Sequence, residues 1–157
     1  MTTQVLDQIL NYLQITDTIA TSGQPTADQF ADIAAAGYEL VVNLAMTDSS
    51  NALADEGSVA TRLGLDYVHI PVVWEAPAQR DLERFMAVMD RNRDRNVFVH
   101  CVLNMRVSVF VFLYQVIRQG LDVEVARQPM EKIWEPNPIW KAFMHQSLAR
   151  YGFEPVD

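Results

Sequence analysis

Apolar positions recur at two different spacings along this chain, and the spacing changes many times between its two ends. Spacings of three and four residues predict amphipathic helices, whereas short unbroken apolar runs rich in β-branched residues predict buried strands. The helical pattern covers seven segments, at residues 3–13, 27–36, 53–63, 79–93, 108–119, 123–133 and 138–151. The strand pattern covers three segments, at residues 38–44, 66–72 and 96–100.

Capping and breaking residues lie at the ends of these segments. Thr26 can cap the second predicted helix, and Gly64 and Gly120 follow two others, where a left-handed residue commonly ends a helix. Strands that alternate with helices predict an α/β fold, here a central, mostly parallel sheet of about four to five strands with helices on both faces. We expect residues 1–157 to form a single domain, because domains average roughly 150 residues.

The junction between the strand at 96–100 and the helix at 108–119 is the candidate functional site. The helix is apolar on nearly all sides, so we expect it to be buried at the centre of the fold. In open α/β sheets, ligands bind beyond the carboxyl ends of the strands, often against a helix N-terminus. The single cysteine of the chain, Cys101, lies at this junction.

Cys101 and Arg106 give the junction the residue types of an oxyanion site. Backbone N–H groups in such a loop can surround an anion, and the positive end of the helix stabilises a thiolate, the nucleophilic form of cysteine. A planar guanidinium can bind two oxygens of a phosphate at once. A cysteine considered alone is most simply a small core residue, so it is the combination of Cys101 with Arg106 and Ser108 that favours a functional site.

Composition and charge then exclude several classes of protein. Half of the 157 residues are hydrophobic and a fifth are charged, which is typical of a packed globular protein. There are 12 basic and 20 acidic residues, and the first 61 residues contain no Lys or Arg, so the whole net charge of −8 arises before Arg62. Proteins that bind nucleic acids or anionic membranes need clustered bases, so we expect neither partner.

Other features of the sequence predict the cellular location and argue against a disulfide or a zinc site. The chain has no apolar stretch of 18 residues and no signal-peptide pattern near its start, so we expect a cytoplasmic protein. A single cysteine excludes an internal disulfide, and no Cys/His cluster has the spacing of a zinc site. We therefore expect neither a metal nor a cofactor.

Four short motifs carry a resemblance to a known family. They are Ser22-Gly23-Gln24-Pro25, Asn43-Leu44, His69-Ile70-Pro71-Val72, and His100-Cys101 followed by Arg106 and Ser108. Over roughly residues 15–120, the sequence resembles the dual-specificity and tyrosine phosphatase superfamily, and within it the bacterial phosphatase-like branch of the beta-lactamase hydrolase-like type. The resemblance implies a cysteine-phosphatase-like fold and a phosphate-ester substrate or phosphorylated ligand.

The resemblance also implies roles for the residues of the junction. Cys101 would attack phosphorus to form a cysteinyl-phosphate, Arg106 and the loop N–H groups would stabilise the phosphate oxygens, and His100 would brace the loop. Ser108 would hydrogen-bond the cysteine sulfur and assist breakdown of the intermediate. The phosphate-binding loop would comprise Val102, Leu103, Asn104, Met105, Arg106 and Val107.

The loop departs from the family pattern in the position of its arginine. The family has five residues between Cys and Arg, whereas four residues separate Cys101 from Arg106 here, and Val107 stands between Arg106 and Ser108. Seven positions still separate Cys101 from Ser108, as in the family. Asn104 takes the place of the family's central glycine, and Asn tolerates a left-handed backbone well, so we expect the loop to keep its shape.

The general acid is a second departure, because the family places an Asp in the loop after the strand at 66–72. Glu75 is the carboxylic acid in that loop, and Asp81 is the next candidate. These departures leave open a module with the same fold that binds phosphate, sulfate or a phosphorylated partner without turnover. A third hypothesis is a rhodanese-like sulfurtransferase, which also uses one cysteine on such a loop. The substrate and the oligomeric state stay open.

Overall fold

A five-stranded sheet forms the centre of the computed structural model, which describes residues 5–154. The strands are β1 (Leu13–Gln14), β2 (Ile19–Ser22), β3 (Leu40–Asn43), β4 (Asp66–His69) and β5 (Val97–His100). They lie in the order β1-β2-β5-β3-β4, and every neighbouring pair is parallel except β1 with β2. The predicted α/β fold with a mostly parallel sheet is confirmed.

Six helices in the described residues surround this sheet. They are α1 (Ala27–Ala35), α2 (Glu56–Arg62), α3 (Gln79–Arg91), α4 (Met105–Ile117), α5 (Val123–Ile133) and α6 (Pro138–Arg150). Alternate side chains of each strand enter one of two cores, as the period of two in a pleated strand requires. Leu40 and Val42 pack into the larger core with α3 to α6, whereas Val41 packs into the smaller core with α1 and α2.

Helix α4 is the central helix of the larger core. All of its residues from Arg106 to Val116 are buried, as its all-round apolar sequence predicts. The ring of Phe110 lies 5.7 Å from that of Phe85 and 5.8 Å from that of Phe143, between α3 and α6. Because α4 is buried over most of its length, packing fixes the place of its first turn, which follows β5 in the chain. No helix within residues 5–154 is long and apolar enough to cross a membrane.

The N-terminal segment differs from its prediction. Residues 3 and 4 of the predicted helix lie outside the described residues, Val5 and Leu6 are helical, and the chain then turns and enters β1. Asn11 has a left-handed backbone (φ 52°), which a right-handed helix cannot continue through. Leu6 and Ile9 are both buried. The apolar spacing in this segment therefore identifies residues that pack into the core, although the backbone is not a continuous helix. Strands β1 and β2 were not predicted: β1 has two residues, and β2 reads Ile-Ala-Thr-Ser, which contains no apolar run although all four residues are buried.

Candidate active site

The four sequence motifs meet along one edge of the sheet. In the register of the strands, Ser22 of β2 and Asn43 of β3 both pair with His100 of β5, and Asn43 also pairs with His69 of β4. Each of these residues is the last of its strand. The motifs that carry the resemblance therefore form a single row at the carboxyl ends of the parallel strands, where α/β folds place their ligands.

The loop after β5 is fastened to the loop after β2 by backbone contacts. The Cys101 N–H donates to the Ser22 carbonyl (3.3 Å), and the Gln24 N–H donates to the Val102 carbonyl (3.0 Å). A Cβ at Gly23 would lie 2.6 Å from the Val102 carbonyl oxygen, closer than any ordinary contact. The glycine is thus required by the close approach of the two loops.

Asn11 and Asn104 form hydrogen bonds on the other side of the loop after β5. The Nδ2 group of Asn104 donates to the Asn11 carbonyl (2.8 Å) and to Thr21 Oγ1 (3.0 Å), and the Nδ2 group of Asn11 donates to the Leu103 carbonyl (3.0 Å). Asn104 is fully buried and has a left-handed backbone (φ 67°), as expected from its place in the loop. Helix α4 starts directly after it, three residues earlier than predicted.

The backbone N–H groups that follow Cys101 lack acceptors among the described residues. Across residues 5–154, the N–H groups of residues 102–107 donate to none of the backbone or side-chain oxygens. Helix α4 supplies three of them from its unsatisfied first turn, which carries the positive end of the helix dipole. A run of such donors can surround a tetrahedral anion.

Arg106 is buried in the first turn of α4 without an opposite charge. Only 6% of its surface is exposed, its Nη1 group donates to the Val72 carbonyl (2.8 Å), and its guanidinium carbon lies 5.8 Å from the ring centre of Trp74. No carboxylate of the described residues lies within ion-pair distance of it. A buried cation without a counter-charge is costly, so the site is electrostatically suited to an anion.

Cys101 and Arg106 share one open cavity of about 170 Å³. Its lining residues are Trp74, Cys101, Val102, Leu103, Met105 and Arg106. Arg106 is the charged residue among them, and the remaining side chains are apolar apart from the thiol. The structure therefore brings the predicted nucleophile and the predicted oxyanion binder together in a mainly apolar pocket.

Three tryptophans hold the wall of this cavity in place. The ring of Trp74 lies 5.3 Å from that of Trp134 and 5.8 Å from that of Trp140, and the Trp140 Nε1–H donates to the Trp74 carbonyl (2.9 Å). Trp134 Nε1–H donates to Ser108 Oγ (3.0 Å), whose own hydroxyl donates to the Met105 carbonyl (2.7 Å). In the described structure the Ser108 hydroxyl thus braces the helix turn and is not hydrogen-bonded to the Cys101 sulfur, in contrast to the role implied by the resemblance.

The two candidate acids are not among the residues that line the cavity. Glu75 is exposed in the loop between β4 and α3, next to Trp74. Asp81 lies in the first turn of α3, and only 9% of its surface is exposed. A carboxylate at this position complements the helix dipole. The structure therefore brings Cys101 and Arg106 to one cavity, whose lining includes neither Glu75 nor Asp81.

A buried carboxylate that the sequence reasoning missed supports His100. Glu56, the first residue of α2, places its Oε2 2.7 Å from Nε2 of His100 and accepts hydrogen bonds from Tyr67 Oη (2.7 Å) and Gln24 Nε2 (2.7 Å). Burial raises the pKa of the Glu56 carboxyl, but the hydrogen bonds it accepts and the charge of His100 outweigh burial and hold the pKa below its ordinary value. Burial and the Glu56 carboxylate raise the pKa of Tyr67.

The fold is that of phosphatases, and the family match places the protein in the dual-specificity and tyrosine phosphatase superfamily. Residues 11–142 match the family model described as "DSP-PTPase phosphatase fused to NAD+ Kinase". The match covers most of the 157 residues, and the chain belongs to this family.

Two solved structures show the same fold at different sequence distances. The "putative phosphatase (DUF442)" of Shewanella putrefaciens CN-32 is 36% identical, with a TM-score of 0.86 over 95% of this chain and 98% of that one. TpbA of P. aeruginosa, solved with a cysteine-to-serine substitution and in complex with pTyr, is 17% identical, with a TM-score of 0.64 over 89% of this chain and 82% of that one. At the lower identity, the likeness concerns the fold.

A curated relative agrees with the resemblance seen in the sequence. The beta-lactamase hydrolase-like protein of Xylella fastidiosa (strain Temecula1 / ATCC 700964) is 29% identical over 111 residues, which is 69% of this chain. The chain spans about a quarter of the length of that relative, since the match covers 26% of it.

Proposed function

We propose that this protein is a cysteine-dependent phosphatase that hydrolyses a phosphate monoester. The observation that carries the proposal is the pocket shared by Cys101 and Arg106, in which a buried guanidinium has no counter-charge in the described structure. The unused N–H groups of residues 102–107 and membership of a phosphatase family support it. Family membership also favours this function over the sulfurtransferase hypothesis.

The proposed reaction has two displacements at phosphorus. The Cys101 thiolate attacks the phosphorus atom, an S–P bond forms, and the bond from phosphorus to the leaving oxygen breaks. Water then attacks the cysteinyl-phosphate, which releases orthophosphate and restores the thiolate. In both transition states Arg106 and the loop N–H groups stabilise the charge on the equatorial oxygens.

Replacing the nucleophile tests this mechanism. We expect Cys101→Ser to abolish hydrolysis of para-nitrophenyl phosphate, because a serine hydroxyl at this position has no general base to activate it. The variant should still bind phosphotyrosine, since the guanidinium and the loop amides are unchanged. Hydrolysis by the variant at the rate of the unmodified protein would rule out the mechanism.

Glu75 is our candidate for the acid that protonates the leaving oxygen, with Asp81 as its alternative. An acid matters most when the leaving group is a poor one, so Glu75→Gln should reduce kcat/KM for phenyl phosphate by about tenfold or more and reduce it little for para-nitrophenyl phosphate. The matched variant is Asp81→Asn. Equal effects of Glu75→Gln on both substrates would exclude Glu75 as the acid, and a leaving-group-dependent loss in Asp81→Asn would assign the role to Asp81.

The second candidate function is binding of phosphate or a phosphorylated partner without turnover. The absence of a carboxyl group from the lining of the described cavity favours it. On this alternative, the unmodified protein binds orthophosphate or phosphotyrosine in a calorimeter and releases no phosphate from either phenyl ester. Turnover that depends on Cys101 would exclude it.

A further inference from the structure

We propose that Glu56 is a positioning residue, which holds His100 with both ring nitrogens protonated beside the Cys101 loop. The contact between the two residues belongs to the fold, while its consequence for catalysis rests on the proposed phosphatase function. Nothing in the sequence links them, because Glu56 precedes His100 by 44 residues and lies on a different element.

Both ring nitrogens of His100 face oxygen atoms. Nε2 lies 2.7 Å from Glu56 Oε2, and Nδ1 lies 3.2 Å from the Cys101 carbonyl oxygen, while the side chain is fully buried. A neutral imidazole carries one N–H, so one nitrogen would direct its lone pair at an acceptor. The imidazolium donates from both nitrogens and satisfies both contacts.

The alternative is a neutral pair, with the proton on the Glu56 carboxyl and donated to Nε2. The other groups around Glu56 oppose it. Oε1 accepts from Gln24 Nε2 (2.7 Å), and Oε2 also accepts from the Tyr67 hydroxyl (2.7 Å). An ionised carboxylate offers acceptors to all three donors, and the lowered pKa of Glu56 agrees with the ionised form.

Among residues 5–154, the other neighbours of this pair do not supply a competing charge. Phe30 of α1 presents the edge of its ring 6.0 Å from the His100 ring. Tyr67 of β4 has a raised pKa and stays neutral, and His69 is engaged by the Ala45 carbonyl. Asp55 adjoins Glu56 but is exposed. Among the described residues, the charged group in contact with the His100 ring is therefore the Glu56 carboxylate.

This arrangement places the positive end of the His100–Glu56 ion pair against the backbone of Cys101. The positive partner, His100, contacts the carbonyl of Cys101, and the negative partner lies on the far side of the ring. A buried charge acts strongly because the surrounding dielectric is low. The imidazolium favours the Cys101 thiolate and the phosphate dianion, and Glu56 keeps the imidazolium charged and in place.

Alkylation of Cys101 measures this effect without any substrate, because it is the single cysteine of the chain. Rates with iodoacetamide would be followed against pH in the unmodified protein and in Glu56→Gln. The glutamine keeps the shape and can donate to Nε2, so His100 becomes neutral. We expect the pH of half-maximal rate to rise by about one unit, with a roughly tenfold slower reaction below that pH.

Matched variants and a spectroscopic measurement complete the test. Glu83→Gln removes an exposed carboxylate paired with Arg150 and should leave the profile unchanged. Two-bond ¹H–¹⁵N correlations on the unmodified protein should show the imidazolium form for His100 at neutral pH. A neutral His100, or a folded Glu56→Gln protein with an unchanged alkylation profile, would overturn the inference. A shifted profile in a protein that hydrolyses no phosphate ester would support the inference and contradict the proposed function.

Discussion

At the scale of single residues, the proposed chemistry depends on the guanidinium of Arg106, whose spacing from Cys101 is unusual for the family. Arg106 follows Cys101 by one residue fewer than the family pattern requires, yet both line the same cavity. The Val72 carbonyl and the Trp74 ring hold the guanidinium in place, and they leave further N–H donors for an anion. The orientation of Arg106 is thus set by its neighbours in space and not by its spacing from the cysteine.

Arg106→Lys tests whether the guanidinium binds the phosphate or only stabilises the folded structure. A lysine can still donate to the Val72 carbonyl, but it is a point charge without a planar pair of donors. We expect kcat/KM for para-nitrophenyl phosphate to fall by about 100-fold while the thermal unfolding midpoint changes little. Arg118→Lys, at the opposite end of the same helix, is the matched control. Unchanged kinetics for Arg106→Lys would show that Arg106 is a structural residue.

At the scale of elements, the site is a meeting of two loops at the end of the sheet. The loop after β2 and the loop after β5 exchange backbone hydrogen bonds, and the space between them is too small for a side chain at Gly23. Gly23 does not have a positive φ, so its requirement is steric and not conformational. The Ser22-Gly23-Gln24-Pro25 motif therefore belongs to the same structure as the cysteine loop, although the two are far apart in sequence.

Gly23→Ala should destabilise the fold and displace the loop. The added methyl group would meet the Val102 carbonyl at 2.6 Å, and overpacking of this kind costs about 1–3 kcal/mol. Gly57→Ala is the matched control, since a Cβ there lies 3.4 Å from the Tyr67 ring and falls within α2; we expect it to stabilise by about 0.5 kcal/mol. Urea unfolding measures both, and a Gly23→Ala protein as stable as the unmodified one would contradict the close approach.

Prediction from the sequence succeeded where a local pattern determines the structure. The α/β alternation and the buried helix α4 follow from apolar spacing, and the loop at Cys101 follows from residue types at a strand-to-helix junction. The pattern failed for residues 3–13, where Leu6 and Ile9 are buried without a continuous helix. It also could not indicate the pairing of Glu56 with His100, because that contact depends on how α2 packs against β4 and the sheet.

At the scale of the whole molecule, we expect the charge distribution to limit which substrates the proposed phosphatase accepts. The net charge of −8 comes from the first 61 residues, and Arg106 is the charged residue lining the cavity. An anion therefore meets a repulsive field at long range and a single guanidinium with loop amides at short range. The apolar lining by Trp74, Leu103 and Met105 suits a monophosphate on an apolar or aromatic group.

Comparing two substrates at different salt concentrations tests this expectation. We expect kcat/KM for para-nitrophenyl phosphate to exceed that for a nucleoside triphosphate at low salt. Raising the ionic strength from about 10 mM to about 100 mM shortens the screening length from about 30 Å to about 10 Å. The ratio of kcat/KM for para-nitrophenyl phosphate to kcat/KM for the triphosphate should therefore decrease, because the repulsion of the triphosphate is screened. Faster hydrolysis of the triphosphate at low salt would contradict the role assigned to the acidic excess.

Detection of the covalent intermediate tests the central proposal most directly. The protein would be mixed with para-nitrophenyl phosphate, quenched in acid within milliseconds, and analysed by intact and peptide mass spectrometry. We expect one phosphoryl group on the peptide that contains Cys101 in the unmodified protein, and none in Cys101→Ser. Phosphate release without a phosphorylated Cys101 peptide, or a phosphoryl group on another residue, would contradict a cysteinyl-phosphate mechanism.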